Sequence, residues 1–351
     1  MPEAQRRCAA QPLTVAILGF GHVARSLCSL LAQRDAGSAG GSERPIQVVA
    51  AARRRGMLYA AEGLDHARLA SGDDGMWRPW PHAWTGAEFA ARVPADVLVE
   101  LTTLDAAAGE PALTYCHAAL AAGKHVVTAN KGPIAFGYAA LRRAAVAAGR
   151  ELLFEATVMD GAPVFNLHRH CLRGCRVTGV RGILNSTTNL ILDEMAGGGT
   201  LDAAVARAQA MGIAEADPSL DINGYDAAVK LCVLVNVLLE RPLVPQDIVR
   251  RGISELTPAD LTAAAARGHR VKLIAEARDE GRGRFTATVQ PVEVAACDPY
   301  AQVRGTSSIL TISTDLLGDL TITEQEPGLS QTAYGVLQDL LTLARLGAIT
   351  R

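Results

Sequence analysis

The 351-residue sequence has few aromatic residues and almost no net charge. Aromatic side chains make up 4% of the chain against 49% for all hydrophobic residues, so alanine, leucine and valine must fill the interior. Such small side chains suit helices that pack closely against a sheet. The formal net charge of −2 provides no electrostatic support for binding nucleic acid or an anionic membrane. The length is typical of about two domains.

The sequence also lacks a long hydrophobic run and a CxxC pair. The longest strongly apolar stretch, at 231–239, is far shorter than the roughly 20 residues that a transmembrane helix needs. Residues 1–11 lack the apolar core of a secretory signal, which predicts a frayed start to the chain. Seven cysteines without metal or redox spacing predict reduced thiols in a cytoplasmic protein.

Lysine is scarce in a chain that is rich in arginine. Four lysines, at 124, 131, 230 and 272, stand against thirty arginines. Arginine cannot release its proton near neutral pH, whereas a buried lysine can. Lys230 is therefore a candidate for proton transfer, because four acidic residues precede it closely on the chain: Glu215, Asp217, Asp221 and Asp226.

A predicted strand, a glycine-rich turn and a predicted helix follow one another near the start. Residues 13–18 are apolar and residues 25–33 have helical periodicity. Gly19 permits a tight turn, Gly21 lets the backbone approach a pyrophosphate, and the helix N-terminus offers free N–H groups. A plain glycine turn is the alternative to the nucleotide site that we predict at the six turn residues: Gly19, Phe20, Gly21, His22, Val23 and Ala24.

Basic residues follow the second predicted strand, at 47–52. NAD sites place an acidic residue there for the ribose hydroxyls, whereas this chain has Arg53, Arg54 and Arg55. Arginine favours a 2′-phosphate, so we expect Arg53 and Arg54 to bind NADP, with NAD as the other coenzyme to consider. A solvated basic turn is the alternative, because a glycine- and serine-rich loop at 35–45, expected to be flexible, stretches the spacing.

Two further strands, predicted at 96–101 and 125–128, flank a predicted helix at 110–122. This alternation is typical of a parallel sheet with right-handed crossovers. Thr102 and Thr103 follow the first of these strands, and Lys131 follows the second. Ligands of open α/β sheets lie outside the carboxyl ends of the strands, so we expect these three residues to face the nicotinamide half of the coenzyme.

The pattern changes after a helix predicted at 138–148. We predict a Rossmann-type α/β domain over residues 1–149 and an α+β substrate and dimerisation domain with a mixed sheet over 150–324. A last helix, at 331–345, lies in a segment, 325–351, that we expect to pack back on the first domain. The other predicted strands are 151–158, 177–184, 271–277, 285–291 and 308–313, and the other predicted helices are 202–211, 225–239 and 258–267.

Two polar groups in this second half are candidates for a substrate site. The run 185–189 can either cap the following helix or present donors to a substrate carboxylate. Asp226 and Lys230 are four apart, so they share one face of a helix. An exposed ion pair is the plain interpretation, but the helix is apolar nearly all round, which favours a pair that lines a cavity.

The segment 208–230 resembles the homoserine dehydrogenase family. It has the form A-x-x-x-G-I-A-x-x-D-P-x-x-D-I-x-G-x-D-x-x-x-K, which matches that family's motif at every fixed position. The segments 126–131 and 185–189 are further matches, and the resemblance runs from about residue 13 to 345. It implies a homodimeric enzyme of threonine, methionine and isoleucine biosynthesis that interconverts L-homoserine and L-aspartate 4-semialdehyde with NADP(H).

The resemblance also implies roles for residues of the substrate site. Lys230 would be the proton donor and acceptor, with Asp226 and Lys131 as the other catalytic residues. The acidic loop suits a substrate that bears an α-ammonium group. The residues in contact with the substrate would be Glu215, Asp221, Asp226 and Thr187.

For the coenzyme and a cation, the resemblance implies further residues. Gly212 would lie beside the nicotinamide, and Gly328 would remain from a glycine-rich loop that is shortened here to 324–328. The family binds a monovalent cation, sodium, with a glutamate and backbone carbonyls, although segment 159–161 departs from the usual glycine-rich form. The corresponding ligands would be Glu155, Val158, Asp160 and Ala162.

Two other functions stay open at this point. One is another amino-acid dehydrogenase on the same scaffold, for example one that acts on aspartate. The other is an NADPH-binding regulator without catalysis, which only the altered loops at 159–161 and 324–328 favour. Because no ACT domain follows residue 351 and no aspartate kinase precedes residue 1, we expect the short form of the family without threonine inhibition through such a domain.

Overall fold

A computed structural model describes residues 11–37, 44–81 and 84–349. The predicted frayed start, at 1–10, and the centre of the predicted flexible loop, at 38–43, lie outside the described residues. Within the described residues, no helix combines the length and the apolar character that crossing a membrane requires. The six cysteines of the described chain are free thiols.

Strands and helices alternate through the first half of the chain and then become mixed. The strands are β1 Leu13–Leu18, β2 Ile46–Arg53, β3 Gly56–Tyr59, β4 Val97–Glu100, β5 His125–Thr128, β6 Leu152–Leu153, β7 Val177–Ile183, β8 Val249–Arg250, β9 His269–Gly281, β10 Arg284–Ala295, β11 Ser308–Thr314 and β12 Asp319–Glu324. The helices are α1 His22–Ala36, α2 His66–Ser71, α3 Gly86–Arg92, α4 Ala112–Ala121, α5 Lys131–Ala148, α6 Val164–Cys171, α7 Ser186–Ala196, α8 Leu201–Ala210, α9 Ser219–Ile222, α10 Tyr225–Leu238, α11 Pro258–Ala266, α12 Pro299–Gln302 and α13 Leu329–Ile349.

The chain divides into two compact units. The first contains the described residues up to Pro133, residues 139–161 and the chain from Leu329 onward, and the second contains residues 134–138 and 162–328. Each unit has its own six-stranded sheet.

The sheet of the first unit has the strand order β3-β2-β1-β4-β5-β6. All of these strands pair in parallel except β3, which runs antiparallel to β2. α1 and α13 pack against each other and share the core with the central strands, where Leu27 and Leu340 are fully buried. Each such side chain contributes about 1.5–3 kcal/mol by leaving water. The predicted Rossmann-type parallel sheet is confirmed.

The sheet of the second unit has the order β12-β11-β7-β9-β10-β8. β8 pairs in parallel with β10, and the other pairs are antiparallel, so the predicted mixed sheet is confirmed. β9 and β10 form a long hairpin whose turn, Gly281 to Gly283, has positive φ at all three residues. Glycine suits such a turn because it adopts this region without steric cost.

One predicted strand and one predicted helix start are wrong. Only Leu152–Leu153 of the strand expected at 151–158 pairs in the sheet, and Glu155–Thr157 forms a 3₁₀ turn. A side chain accepts a hydrogen bond from the backbone of that turn: the N–H of Glu155 donates to Asp339 Oδ2 at 2.9 Å. α5 begins at Lys131 instead of residue 138, since the side chain of Asn130 accepts a hydrogen bond from the N–H of Gly132 and caps the helix.

Candidate active site

The glycine turn between β1 and α1 has the geometry that a nucleotide site needs. Gly19 has φ +97, and a Cβ at this residue would lie 2.4 Å from the carbonyl carbon of Leu101, so only glycine fits. Gly21 precedes α1, and a Cβ there would meet nothing within 4 Å. The space over the helix N-terminus is therefore open to the pyrophosphate of a dinucleotide, which the free N–H groups would bind.

A cleft lies beside this turn, at the carboxyl ends of the parallel strands. Three of its residues, Val23, Thr102 and Lys131, were predicted from the sequence to contact the coenzyme. Thr103 is exposed and does not line this cleft. The remaining lining residues were not predicted: Leu101, Leu104, Ala129, Asn130 and Thr332.

A buried glutamate, Glu100, accepts hydrogen bonds from residues at the ends of two neighbouring strands in the first unit. Glu100 is fully buried at the end of β4, where burial raises the pKa of its carboxyl group. It accepts hydrogen bonds from the N–H of Thr102 at 2.7 Å and from Thr128 Oγ1 at 2.8 Å. Asn130 Nδ2 donates to the carbonyl of Thr102 at 3.1 Å. The network connects the ends of β4 and β5 next to Lys131, and the sequence pattern offered no sign of it beyond an acid in an apolar strand.

Arg53 lies at the end of β2, as predicted, but its guanidinium is already engaged. It forms an ion pair with Asp74 and stacks over Trp77, with its central carbon 4.4 Å from the ring centroid. Trp77 in turn meets Phe20 of the glycine turn edge to face, with 5.1 Å between ring centroids. Arg54 is exposed to solvent.

In the second unit, Lys230 occupies a defined polar position. Its Nζ donates to the carbonyl of Leu184 at 2.8 Å and lies 3.6 Å from Asp226 Oδ2. The side chains of Lys230 and Asp226 are 19% and 15% exposed, which argues against the fully solvated ion pair that was the plain interpretation. The contacts with the Asp226 carboxylate and the Leu184 carbonyl fix the direction of the half-buried amine and restrict its solvation.

Asn185 joins two carboxylates of this group. Its Nδ2 donates to Asp221 Oδ1 at 2.7 Å and to Asp226 Oδ2 at 2.9 Å. Its Oδ1 accepts from the N–H of Thr188 at 2.8 Å and so caps α7. The capping interpretation of the 185–189 run therefore holds for Asn185, and the same side chain also orients the acids beside Lys230.

Four other predicted substrate and coenzyme residues belong to the second unit. Thr187 is buried, and its hydroxyl lies 3.5 Å from the carbonyl of Ile213. Glu215 and Gly328 are exposed. Gly212 has φ +72 and ends the turn after α8, where glycine is favoured.

The four predicted cation ligands fall on either side of the boundary between the units. Glu155 and Val158 are buried in the first unit, and Ala162 begins a segment of the second. Asp160 has φ +44, and its Oδ1 accepts from Thr332 Oγ1 at 2.6 Å. Within the described chain, no three or more His, Cys, Asp and Glu side chains group as metal ligands, so a cation here would depend on backbone carbonyls.

Comparisons with known proteins cover both units. Residues 163–341 match the family model described as homoserine dehydrogenase, and residues 19–155 match the one described as homoserine dehydrogenase, NAD binding domain. An NAD(+)-dependent homoserine dehydrogenase from Pseudomonas canavaninivorans is 35% identical over 333 residues, which are 93% of this chain and 95% of that protein.

Solved structures agree with this match. The crystal structure of a homoserine dehydrogenase from Thiobacillus denitrificans has a TM-score of 0.83 at 32% identity, over 97% of this chain and 74% of that one. A hyperthermophilic archaeal homoserine dehydrogenase mutant in complex with NADPH has a TM-score of 0.80 at 28% identity, over 96% and 98%. The resemblance inferred from segment 208–230 is confirmed, and the chain belongs to the homoserine dehydrogenase family, NAD(P)-dependent oxidoreductases that act on a CH–OH group.

Proposed function

We propose that the chain interconverts L-homoserine and L-aspartate 4-semialdehyde with NADP(H), and that Lys230 carries the proton. The observation that supports this role is the setting of the Lys230 amine, half-buried and held by Asp226 and the carbonyl of Leu184. Bound nicotinamide coenzyme supplies the hydride acceptor in one direction and the hydride donor in the other.

Lys230 handles the proton that accompanies oxidation of the alcohol. In its neutral form the amine takes the hydroxyl proton of homoserine, and in its ammonium form it returns that proton to the carbonyl oxygen of the semialdehyde. The hydrogen bond to the carbonyl of Leu184 and the contact with Asp226 keep Nζ in one position. A fixed proton carrier is what general acid and base catalysis requires.

The carboxylates near Lys230 suit the ammonium group of an amino-acid substrate. Asn185 Nδ2 donates to Asp221 Oδ1 and to Asp226 Oδ2 and so holds both carboxylates in one place, where their negative charge would attract a cation. Glu215 is exposed and is proposed as a further contact, with Thr187 as a hydroxyl donor to the substrate. A plain hydroxy acid would lack the positive group that these carboxylates bind.

For the coenzyme, we propose NADP(H) as the preferred form and NAD(H) as the weaker one. Arg53 at the end of β2 supports a 2′-phosphate contact. Similar proteins include an NAD(+)-dependent homoserine dehydrogenase and an archaeal homoserine dehydrogenase mutant solved in complex with NADPH. Lys131 and Thr102 line the cleft and are proposed to face the nicotinamide half.

A sodium ion and a homodimer complete the proposal. The buried carboxylate of Glu155 and the carbonyls of Val158, Asp160 and Ala162 are the proposed ligands. Oxygen ligands suit a hard monovalent cation. Turnover measured in sodium and in choline salts at equal ionic strength would test the cation, and sedimentation equilibrium would test the dimer.

Initial rates test the proposed reaction directly. We expect formation of reduced coenzyme with L-homoserine and either NADP or NAD, and none with L-aspartate. Turnover with aspartate alone would identify a different amino-acid dehydrogenase, and binding of NADPH without any homoserine turnover would identify a protein that binds the coenzyme without catalysis.

A Lys230→Ala variant tests the proton carrier. We expect kcat to fall by about 100- to 10,000-fold, the usual contribution of a positioned acid or base, while the Kd for NADPH stays within about twofold of wild type. Arg251→Ala is the matched control, because Arg251 and Glu255 form an i,i+4 pair with both side chains mostly exposed. A Lys230→Ala enzyme with ordinary kcat would remove Lys230 from its role.

A further inference from the structure

The end of β2 carries Arg53 where NAD sites carry an acidic residue, but a different segment of the chain brings an acidic residue, Asp74, next to it. Asp74 comes from a 3₁₀ turn, Asp74–Met76, that lies 21 residues further along the chain. Its carboxylate pairs with the Arg53 guanidinium. The position that reads the adenosine ribose therefore holds a positive and a negative group together, although the strand itself supplies only the positive one.

Several contacts fix the segment that carries Asp74. The backbone of Met57 in β3 exchanges two hydrogen bonds with Arg78, at 2.8 and 3.1 Å. Gly56 makes this approach possible, because a Cβ there would lie 2.5 Å from the carbonyl oxygen of Arg78. Trp80 Nε1 donates to the carbonyl of Arg53 at 3.0 Å. Asp74 thus lies next to Arg53 because the chain that follows it is tied to β3 through the backbone of Arg78 and to β2 through the side chain of Trp80.

The Arg53 side chain is held in a defined direction. Its guanidinium lies over Trp77, and Trp77 contacts Phe20 of the glycine turn, so the arginine belongs to the same surface as the nucleotide turn. The Arg53 Nε is buried and has no hydrogen-bond acceptor within the described part of the chain. Asp74 itself is 75% exposed, so its remaining lone pairs are accessible to a ligand.

We infer that Asp74 is a specificity-determining residue, which accepts hydrogen bonds from the adenosine ribose hydroxyls of NAD(H) and weakens the binding of NADP(H). A carboxylate accepts from ribose hydroxyls, as the acid at this place does in NAD sites. The same carboxylate repels a 2′-phosphate and competes with it for Arg53. Arg53 and Asp74 therefore act in opposite senses, and their pairing makes the chain accept both coenzymes. This inference rests on the proposed coenzyme site.

Binding of nucleotide fragments tests the inference without depending on turnover. We would measure the Kd of adenosine 2′,5′-bisphosphate and of adenosine 5′-phosphate for the full chain by isothermal titration calorimetry. In Asp74→Asn, the preference for the bisphosphate should rise by about tenfold or more, the value of one charge-assisted hydrogen bond. In Arg53→Gln, the preference should fall by a similar factor. The ratio of kcat/KM for NADP and NAD should move in the same directions.

Asp73→Asn is the matched control, since it removes the same charge from the neighbouring residue. Asp73 pairs with Arg68 at 3.0 Å, and an asparagine keeps the oxygen that accepts from the N–H of Gly75. The control should leave the ratio of the two Kd values within about twofold of wild type, as expected for a screened surface charge.

A preference in Asp74→Asn that stays within twofold of wild type would overturn the role of Asp74, whether or not homoserine is oxidised. Loss of homoserine turnover with normal nucleotide binding would instead overturn the proposed reaction and leave this inference standing. Wild-type protein that binds neither nucleotide would overturn both.

Discussion

Lys272 offers a sharp test of how the second unit holds its substrate residues. It lies on β9 with 1% of its side chain exposed. Its Nζ donates to Asn189 Oδ1 at 2.8 Å, to Asp193 Oδ1 at 2.9 Å and to the carbonyl of Val303 at 2.7 Å. Asn189 and Asp193 belong to α7, which has Asn185 as its N-cap and Thr187 in its first turn. The lysine therefore anchors the helix that positions the proposed substrate site.

Replacing Lys272 with methionine keeps the apolar stem and removes the charge. Removal of one partner from a buried ion pair costs about 3–5 kcal/mol, because the other charge remains buried and unpaired. Here Asp193 is 17% exposed. Without the lysine it would still accept a hydrogen bond from the N–H of Gly305 at 2.9 Å and form an ion pair with Arg304 at 3.4 Å. The lower end of the range applies, so we expect a loss of about 3 kcal/mol, which lowers Tm by roughly 6–12 °C for a unit of this size.

Thermal and urea unfolding of Lys272→Met would measure this loss. The matched control is Arg304→Met, which removes the other cation near Asp193 but is 47% exposed and should change stability by about 0.5 kcal/mol or less. We also expect KM for homoserine to rise in Lys272→Met, while the Kd for NADPH stays unchanged. A Lys272→Met protein whose free energy of unfolding lies within about 1 kcal/mol of wild type, instead of about 3 kcal/mol below it, would refute the reasoning that Asp193 stays buried without a sufficient partner when the lysine is removed.

Three further predictions concern the first unit. Burial raises the pKa of Glu100 above its ordinary value of 4.5. The stability that the protonated Glu100 side chain contributes is therefore fully present below about pH 4.5 and is lost as the pH rises through the pKa of the folded state. Glu100→Gln should therefore raise Tm relative to wild type at about pH 8 and lose this advantage near pH 5, and a difference that does not vary with pH would contradict it. Gly19→Ala should lower the free energy of unfolding by about 2 kcal/mol or more, because alanine at φ +97 is strained and its Cβ meets the Leu101 backbone. Gly21→Ala should fold normally, since its Cβ meets nothing within 4 Å, but bind coenzyme more weakly; calorimetry with NADPH and urea unfolding would check both glycine variants.

Local patterns in the sequence were sufficient for the parallel sheet, the glycine turn and the pair on α10. An apolar strand followed by glycines and a periodic helix commonly forms the first strand, turn and helix of a dinucleotide-binding sheet. Residues four apart on a helix share a face whatever surrounds them. The spacing predicted that Asp226 and Lys230 meet, and they lie 3.6 Å apart. The same local reasoning failed at 151–158, where β-type residues form a turn because Asp339, far along the chain, accepts the N–H of Glu155.

The partners of the polar groups were decided only by tertiary structure. Asn185 meets Asp221 across 36 residues, Lys272 meets Asn189 across 83, and Arg53 meets Asp74 across 21. Side chains return to the same face every two residues in a strand and about every 3.6 residues in a helix. The sequence pattern therefore predicts which side chains share a face, but it does not predict which distant segment of the chain will pack over them. Once buried, each polar group must find a partner among whatever the packing brings near, and those partners set the positions of the groups on which the chemistry depends.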